Sequence, residues 1–292
     1  MSKSLKQQLR GMCHHYREGS FSTQDTRKRI LSQVADDLKR LGYRHMRPSS
    51  LKAKHVWALV NDWKERDLSL STVKNRMSAV RWWARHARCP EAVAAKNSHY
   101  EIGERTYVAT ESRATTLPAE KLDRVTDPYI RLSLRLQQEF GLRREESMKF
   151  QVRYADQGDH IRLKSSWCKG GRPRQIPVRT AAQRELLDAI RTFTGGGSKV
   201  SLIPAELKYV DQLHKYEYQT QQAGLTKMHG LRHAYAQTRY RELTGWACPV
   251  LGGPSRTQMS PDIRKIDERV RLQIAEELGH GREEITTVYL GR

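Results

Sequence analysis

Leu278-Gly279-His280-Gly281-Arg282-Glu283-Glu284-Ile285-Thr286-Thr287-Val288-Tyr289-Leu290-Gly291-Arg292 is the stretch on which the reading of this chain turns. A Leu-Gly-His turn precedes a tyrosine. Ile285, Val288 and Leu290 can hold down one face of a short helix, which leaves Tyr289 at a different angular position. A lone tyrosine in such a place is more often a packing residue than a nucleophile. It becomes a candidate nucleophile only if cations elsewhere in the chain can build an anion site beside it.

Cations are abundant. The 292 residues carry a formal net charge of +21. Residues 1–105 hold 22 Lys/Arg against 10 Asp/Glu, or +12, which leaves +9 for the remainder. An excess in both parts points to a long polyanion gripped by two domains, with double-stranded DNA the leading partner. A membrane surface fits less well, because no apolar run approaches ~18 residues and no signal peptide opens the sequence. Cys13, Cys89, Cys168 and Cys248 lie far apart with no CxxC pair, which argues for a reducing cytoplasm and against disulfides or structural zinc.

Residues 1–22 are polar and basic, and are expected to form a short or partly ordered arm. A helix follows from Ser22 or Thr23, with Ile30, Val34 and Leu38 as its apolar stripe and Leu41-Gly42 as its stop. Val56, Leu59, Val60 and Trp63 mark a second helix. Ser69 to Thr72 has the N-cap signature of a third, with Met77, Val80, Trp83 and Ala84 on one side. That helix also carries Lys74, Arg76, Arg81 and Arg85, which are either a solvated face or a DNA-contacting one. From Ala94 to Leu117 periodicity fades. The expected division is a helical domain over 1–105, a linker over 106–117 and a second domain over 118–292. In the second domain an apolar pattern runs from Ile130 to Phe140 and stops at Gly141. Strand-like runs Ile161–Lys164 and Gln175–Val178 flank a cationic turn containing Lys169, Arg172 and Arg174. Helical patterns return over Ala181–Phe193 and after Leu207. The class is mainly α with a small β-hairpin.

Three cationic spots in the second domain bear on Tyr289. Gly141-Leu142-Arg143-Arg144-Glu145-Glu146 turns an arginine back after a helix and places a carboxylate three residues on. Lys169 stands at the hairpin tip. In His229-Gly230-Leu231-Arg232-His233, His229 and Arg232 are three apart and share one helical face. Each has a plain structural explanation by itself: an ion pair, a soluble turn, core histidines.

In this order, and with Tyr289 last, the boxes resemble those of the tyrosine recombinase (phage integrase) family, whose chemistry is shared with type IB topoisomerases. The family's Gly-Leu-Arg-x-x-Glu box is matched at 141–146, its hairpin lysine at Lys169, its His-x-x-Arg-His box at 229–233, and its Leu-Gly-His with Tyr nine residues on at 278–289. Residues 70–81 resemble the family's helical SAM-like core-binding module. The resemblance implies a DNA clamp followed by a recombinase catalytic domain. It also implies cutting and rejoining of DNA through a 3′-phosphotyrosyl intermediate, without metal, ATP or other cofactor.

The resemblance implies roles as well. Tyr289 is the nucleophile, and because a phenol is protonated at neutral pH it needs activation. Arg143 and Arg232 suit the two non-bridging oxygens, where charge builds during attack. His229 is the candidate base, Lys169 the candidate acid for the departing 5′ hydroxyl, and His280 a donor to the phosphate. Glu146 and His233 support them, and Lys74, Arg76, Arg81, Arg85, Arg172 and Arg174 are candidate DNA contacts. The expected state is a monomer in solution and a homotetramer on paired sites, in a bacterial cytoplasm at the nucleoid, with a directionality factor as a further candidate partner. An integrase of a mobile element is favoured over a chromosome or plasmid resolvase, a topoisomerase-like relaxing enzyme, or a DNA-binding protein that has lost catalysis. The sequence departs from the family pattern in one place: 47 residues separate Arg232 from His280. With only three residues after Tyr289, the expectation is that Tyr289 acts in cis and that part of 245–265 contacts a neighbouring protomer.

Overall fold

The computed structural model describes residues 3–197 and 200–292. The chain divides into two compact units, 1–106 and 107–292.

The first unit is helical: α1 (Leu5–His15), α2 (Phe21–Arg40), α3 (Ala53–Glu65) and α4 (Leu70–His86). The expected N-terminal arm is instead a regular helix. Ser4 and Gln7 form a reciprocal capping box at its start, and Leu5, Leu9 and Cys13, four apart, are buried along one side. The other stripes fall as periodicity predicts. Val34, Leu38, Val56, Leu59, Val60, Trp63, Met77, Val80 and Trp83 are all fully buried in one core. At ~1.5–3 kcal/mol per large apolar side chain, this burial is the main force holding the unit together.

The basic helix α4 does not present all its cations to solvent. Arg76 is buried and donates to Asp37 at 2.8 Å, and Asp37 also accepts from Trp63 Nε1 at 3.0 Å and Arg66 at 2.8 Å. Arg81 donates to the Ala94 carbonyl at 2.9 Å and to Asn97 at 2.7 Å. Both candidate DNA contacts are thus engaged within the unit itself. A helix this close to its neighbours must turn some long side chains inward, and here they satisfy a buried carboxylate and a loop carbonyl. Arg85 is exposed and Lys74 half-buried.

The second unit contains α5 (Ala119–Asp123), α6 (Pro128–Phe140), α7 (Arg144–Met148), α8 (Val152–Ala155), β1 (His160–Leu163), β2 (Arg174–Pro177), α9 (Ala181–Phe193), α10 (Tyr209–Gln222), α11 (Gly230–Thr244), α12 (Pro261–Glu277) and α13 (Thr287–Leu290). The two strands pair antiparallel with Ile161 opposite Ile176, both fully buried. Two apolar clusters flank α6: one joins it to the hairpin, α9, α11 and α12, the other to α10. Helix α11 runs through the first cluster with Arg232, His233, Gln237 and Arg239 all buried. No helix is long and apolar enough to cross a membrane among the described residues.

Two further segments complete the second unit. From Tyr107 onward the stretch expected as linker belongs to the second unit: Ala109 N–H donates to Thr287 O (2.9 Å), Thr115 N–H to Gly230 O (3.1 Å) and Ser112 Oγ to Gln237 Oε1 (3.1 Å). Its Ser and Thr content reads as loop, but its backbone polar groups are used as a strap. In the long segment after Arg232, Cys248 is fully buried, Trp246 Nε1 donates to Tyr240 Oη (3.3 Å), and Trp246 and Val250 pack on the unit's own core. Of Trp246, Val250 and Leu251, only Leu251 is exposed, at 51%.

Candidate active site

The boxes read from sequence converge on one cleft of ≈ 420 Å³. Arg143, Lys169, Arg172, His229, His280 and Tyr289 are among its lining residues. Two glycines shape it. Gly141 ends α6 at φ 61°, where a Cβ would come within 2.6 Å of the Tyr235 ring. The chain thereby reverses, and Arg143 opens α7. Its backbone N–H donates to Glu146 at 2.7 Å and its guanidinium donates to the same carboxylate at 2.7 Å. Gly279, at φ 70°, turns the chain out of α12 beside Arg174, whose Nη1 would lie 3.0 Å from an added Cβ. His280 is thus delivered to the cleft.

Beneath the cleft lies an ion pair. Glu146 is fully buried and accepts from Arg174 Nη2 at 2.6 Å and Nη1 at 3.0 Å, while Arg174 Nε donates to Glu277 O at 2.8 Å. Burial alone would raise the Glu146 carboxyl. The hydrogen bonds and charge of Arg174, with Arg232 and Arg143, outweigh it and hold the group at about 2. Arg174, a candidate DNA contact in the sequence, is here the bolt between the hairpin, the Arg143 turn and the end of α12. Parity carried this information: in a strand of period two, Arg174 must share the inward face of Ile176.

At the wall of the cleft Tyr289 is only 5% exposed, and its Oη lies 3.3 Å from Arg232 Nε and 3.4 Å from His280 Nε2. Arg232 is 1% exposed, donates to Gly141 O at 2.6 Å, and shares Leu278 O with Arg143. Burial pushes its guanidinium down to about 10, which leaves it charged at neutral pH. The histidines are held neutral. Burial, then repulsion by Arg232, Arg143 and Arg174, lowers His280 to about 4, and burial with His229 and Arg113 does the same to His233. His229 is open to the cleft as a residue. Partial desolvation of its ring, with Arg232 and Arg143, still lowers it below its ordinary value. His233 packs its ring against Tyr289 at 4.7 Å between centroids, as a wall and not a ligand of the phenol. Lys169 and Arg172 are exposed on the hairpin turn. The sequence reading missed Gln237, which donates to Tyr289 O at 2.9 Å, and Arg271, which donates to Gly291 O at 3.0 Å. Nothing in their spacing marks them, since each works on a carbonyl far away in sequence.

A helical unit, followed by a unit that gathers two arginines, histidines, a lysine and a tyrosine into one cleft, defines a DNA strand transferase of the tyrosine type. Family models agree. "Phage integrase, N-terminal" matches residues 1–90 and "Integrase" matches 103–238. The chain belongs to the tyrosine recombinase (phage integrase) family. No curated protein matches it. Among solved structures it shares the fold of XerH recombinase in a post-cleavage complex with palindromic difH (15% identity, 98% of this chain and 81% of that one, TM-score 0.59). It also shares that of the Tn1549 transposon integrase with circular intermediate DNA (16%, 100% and 96%, 0.56), and of a lambda integrase tetramer on a Holliday junction (16%, 97% and 79%, 0.56).

Proposed function

We propose that the protein is the site-specific recombinase of a mobile element, cutting and rejoining double-stranded DNA with Tyr289. The observation that carries this reading is the meeting of Arg143, Arg232, His229, His280 and Lys169 around one phenol. Tyr289 Oη attacks the scissile phosphorus, the P–O5′ bond breaks, and a 3′-phosphotyrosyl bond takes its place. The free 5′ hydroxyl of the partner strand later reverses the step, so the bond energy is kept. Arg143 and Arg232 hold the non-bridging oxygens. His229, lowered and so neutral at pH 7, takes the phenolic proton. Lys169 protonates the leaving oxygen, and His280 donates to the phosphate.

Both units contribute cations to the duplex, with Lys74 and Arg85 in the first, and Lys169 and Arg172 in the second. The active form is a homotetramer on paired sites and the free form a monomer, with a directionality factor setting the outcome, in the bacterial cytoplasm at the nucleoid. The Tn1549 transposon integrase and the lambda tetramer, in whose fold the chain is built, support the mobile-element and four-protomer parts of this reading. The test is a nicked suicide substrate that traps the covalent complex. Wild type gives a protein–DNA adduct and Tyr289→Phe gives none. An adduct formed by Tyr289→Phe would overturn the assignment.

A further inference from the structure

Helix α13, which bears Tyr289, is four residues long, so its carbonyls lie within the last turn, where a helix supplies few partners of its own; Gly291 N–H meets Thr287 O at 3.1 Å. Three carbonyls of this segment, at residues 287, 289 and 291, are met from outside it by three different elements. The strap's Ala109 N–H donates to Thr287 O (2.9 Å), Gln237 Nε2 of α11 to Tyr289 O (2.9 Å), and Arg271 Nη1 of α12 to Gly291 O (3.0 Å).

The donors are themselves fixed. Gln237 is 5% exposed and its Oε1 accepts from Ser112 Oγ at 3.1 Å. Arg271 is 3% exposed and its Nε donates to Asp267 at 2.8 Å, and Asp267 also accepts from Tyr240 Oη at 2.6 Å. Tyr240 in turn accepts from Trp246 of the long segment after Arg232. With the backbone held at 287, 289 and 291, the phenol sits 3.3 Å from Arg232 Nε.

We infer that Gln237 and Arg271 are positioning residues that keep the nucleophile docked in its own active site, and that one role of the long segment is to brace Arg271 through Asp267, Tyr240 and Trp246. Neither residue touches the phosphate. Each acts by narrowing the positions open to Tyr289, so its loss lowers the population of the reactive geometry and leaves DNA affinity alone. The inference rests on the proposed reaction.

The experiment uses the full chain and a nicked suicide duplex containing its recombination site, with single-turnover adduct formation and DNA affinity measured side by side. Gln237→Leu and Arg271→Met are each expected to slow adduct formation by roughly 10-fold, the scale of one lost buried hydrogen bond, with DNA affinity changed less than about 2-fold. Arg271→Lys, which keeps a cation beside Asp267, recovers most of the rate. Ser112→Ala, at an exposed serine whose loss does not threaten folding, slows it by about 2–5-fold. A mixture of Arg143→Ala and Tyr289→Phe proteins, which can form an adduct only with a tyrosine delivered in trans, yields no more than either alone.

Wild-type rates in Gln237→Leu, or equal losses of rate and affinity in all four variants, overturn the inference. So does an adduct from the mixture. If Gln237→Leu does not fold, Ser112→Ala and the Arg271→Met/Arg271→Lys pair decide by the same split. Absence of any adduct from wild type is a different failure, that of the proposed reaction.

Discussion

The floor and the wall of the cleft each contain a buried guanidinium, and the two are provided for differently. On the floor, Arg174 meets Glu146 in a two-pronged ion pair with both partners inaccessible. On the wall, Arg232 gives its hydrogen bonds to two carbonyls and the phenol of Tyr289. Carbonyls satisfy its donors without cancelling its charge. A buried cation with a carboxylate is a structural element, whereas one held by neutral acceptors keeps a field directed at the cleft, ready for an anion. The same contrast holds in the first unit, where Arg76 is spent on Asp37 and Arg85 is left to solvent.

The sharpest test of this contrast lies at the cleft mouth, where Lys169 is exposed. Lys169→Ala should slow cleavage of an ordinary substrate by ~10²–10⁴-fold, and a bridging 5′-sulfur, which leaves without a proton, should restore most of the rate. Equal damage on both substrates would make Lys169 a positioning cation only. Next comes the floor. Glu146→Gln strands Arg174 in a buried site and should cost about 3–5 kcal/mol of stability by urea denaturation. A loss below 1 kcal/mol would mean that the pair is incidental. On the wall the balance reverses: Arg232→Ala should lower the cleavage rate by about 10²–10³-fold while costing less stability than Glu146→Gln. If it unfolds the protein more readily than Glu146→Gln, the division between floor and wall fails.

Acid should separate the histidines from the carboxylate. His233 is held near 4 in the folded chain against 6.5 unfolded, so the unfolded state binds protons first and stability falls as pH drops from about 6.5 to 4, by about 3 kcal/mol from this group. Glu146, held at about 2 against 4.5, contributes stability that is lost only below about pH 4.5. Denaturation midpoints at pH 7, 5 and 3 would show two stages. By the same sign, the acid limb of kcat/KM set by His229 should lie below pH 6.5.

The smallest effect is in DNA binding. Arg85→Ala should reduce the salt slope of log K by ~0.9, the release expected for one phosphate contact, and Arg76→Ala should leave the slope unchanged while destabilising the first unit. A slope that moves equally in both would return Arg76 to the DNA surface.

Much of this was legible in the residues alone. The stripes of α3 and α4, the helix over Ala181–Phe193 and the stop at Gly141 follow from period and punctuation, and the structure reproduces them. The hairpin strands lie one residue N-terminal of the expected runs. The spacing of the boxes put Arg143, Lys169, His229, Arg232, His280 and Tyr289 on one list, and the cleft brings them together. Such features are local: a helical face or a turn is encoded within a few neighbouring residues.

Pairing was what the residues alone left open. Arg76 and Arg174 look like DNA contacts in a basic chain, and only the fold shows Asp37 and Glu146 waiting for them 39 and 28 positions away. Residues 107–117 read as a linker because no periodicity marks them, yet their backbone closes onto Gly230 and Thr287. Gln237 meets Tyr289 across 52 positions. The sequence determined which chemical groups the protein has and which local elements carry them. Tertiary structure decided which charges are cancelled and which remain to act, because a charge is cancelled by whatever folding buries beside it, and that partner is set by distant chain.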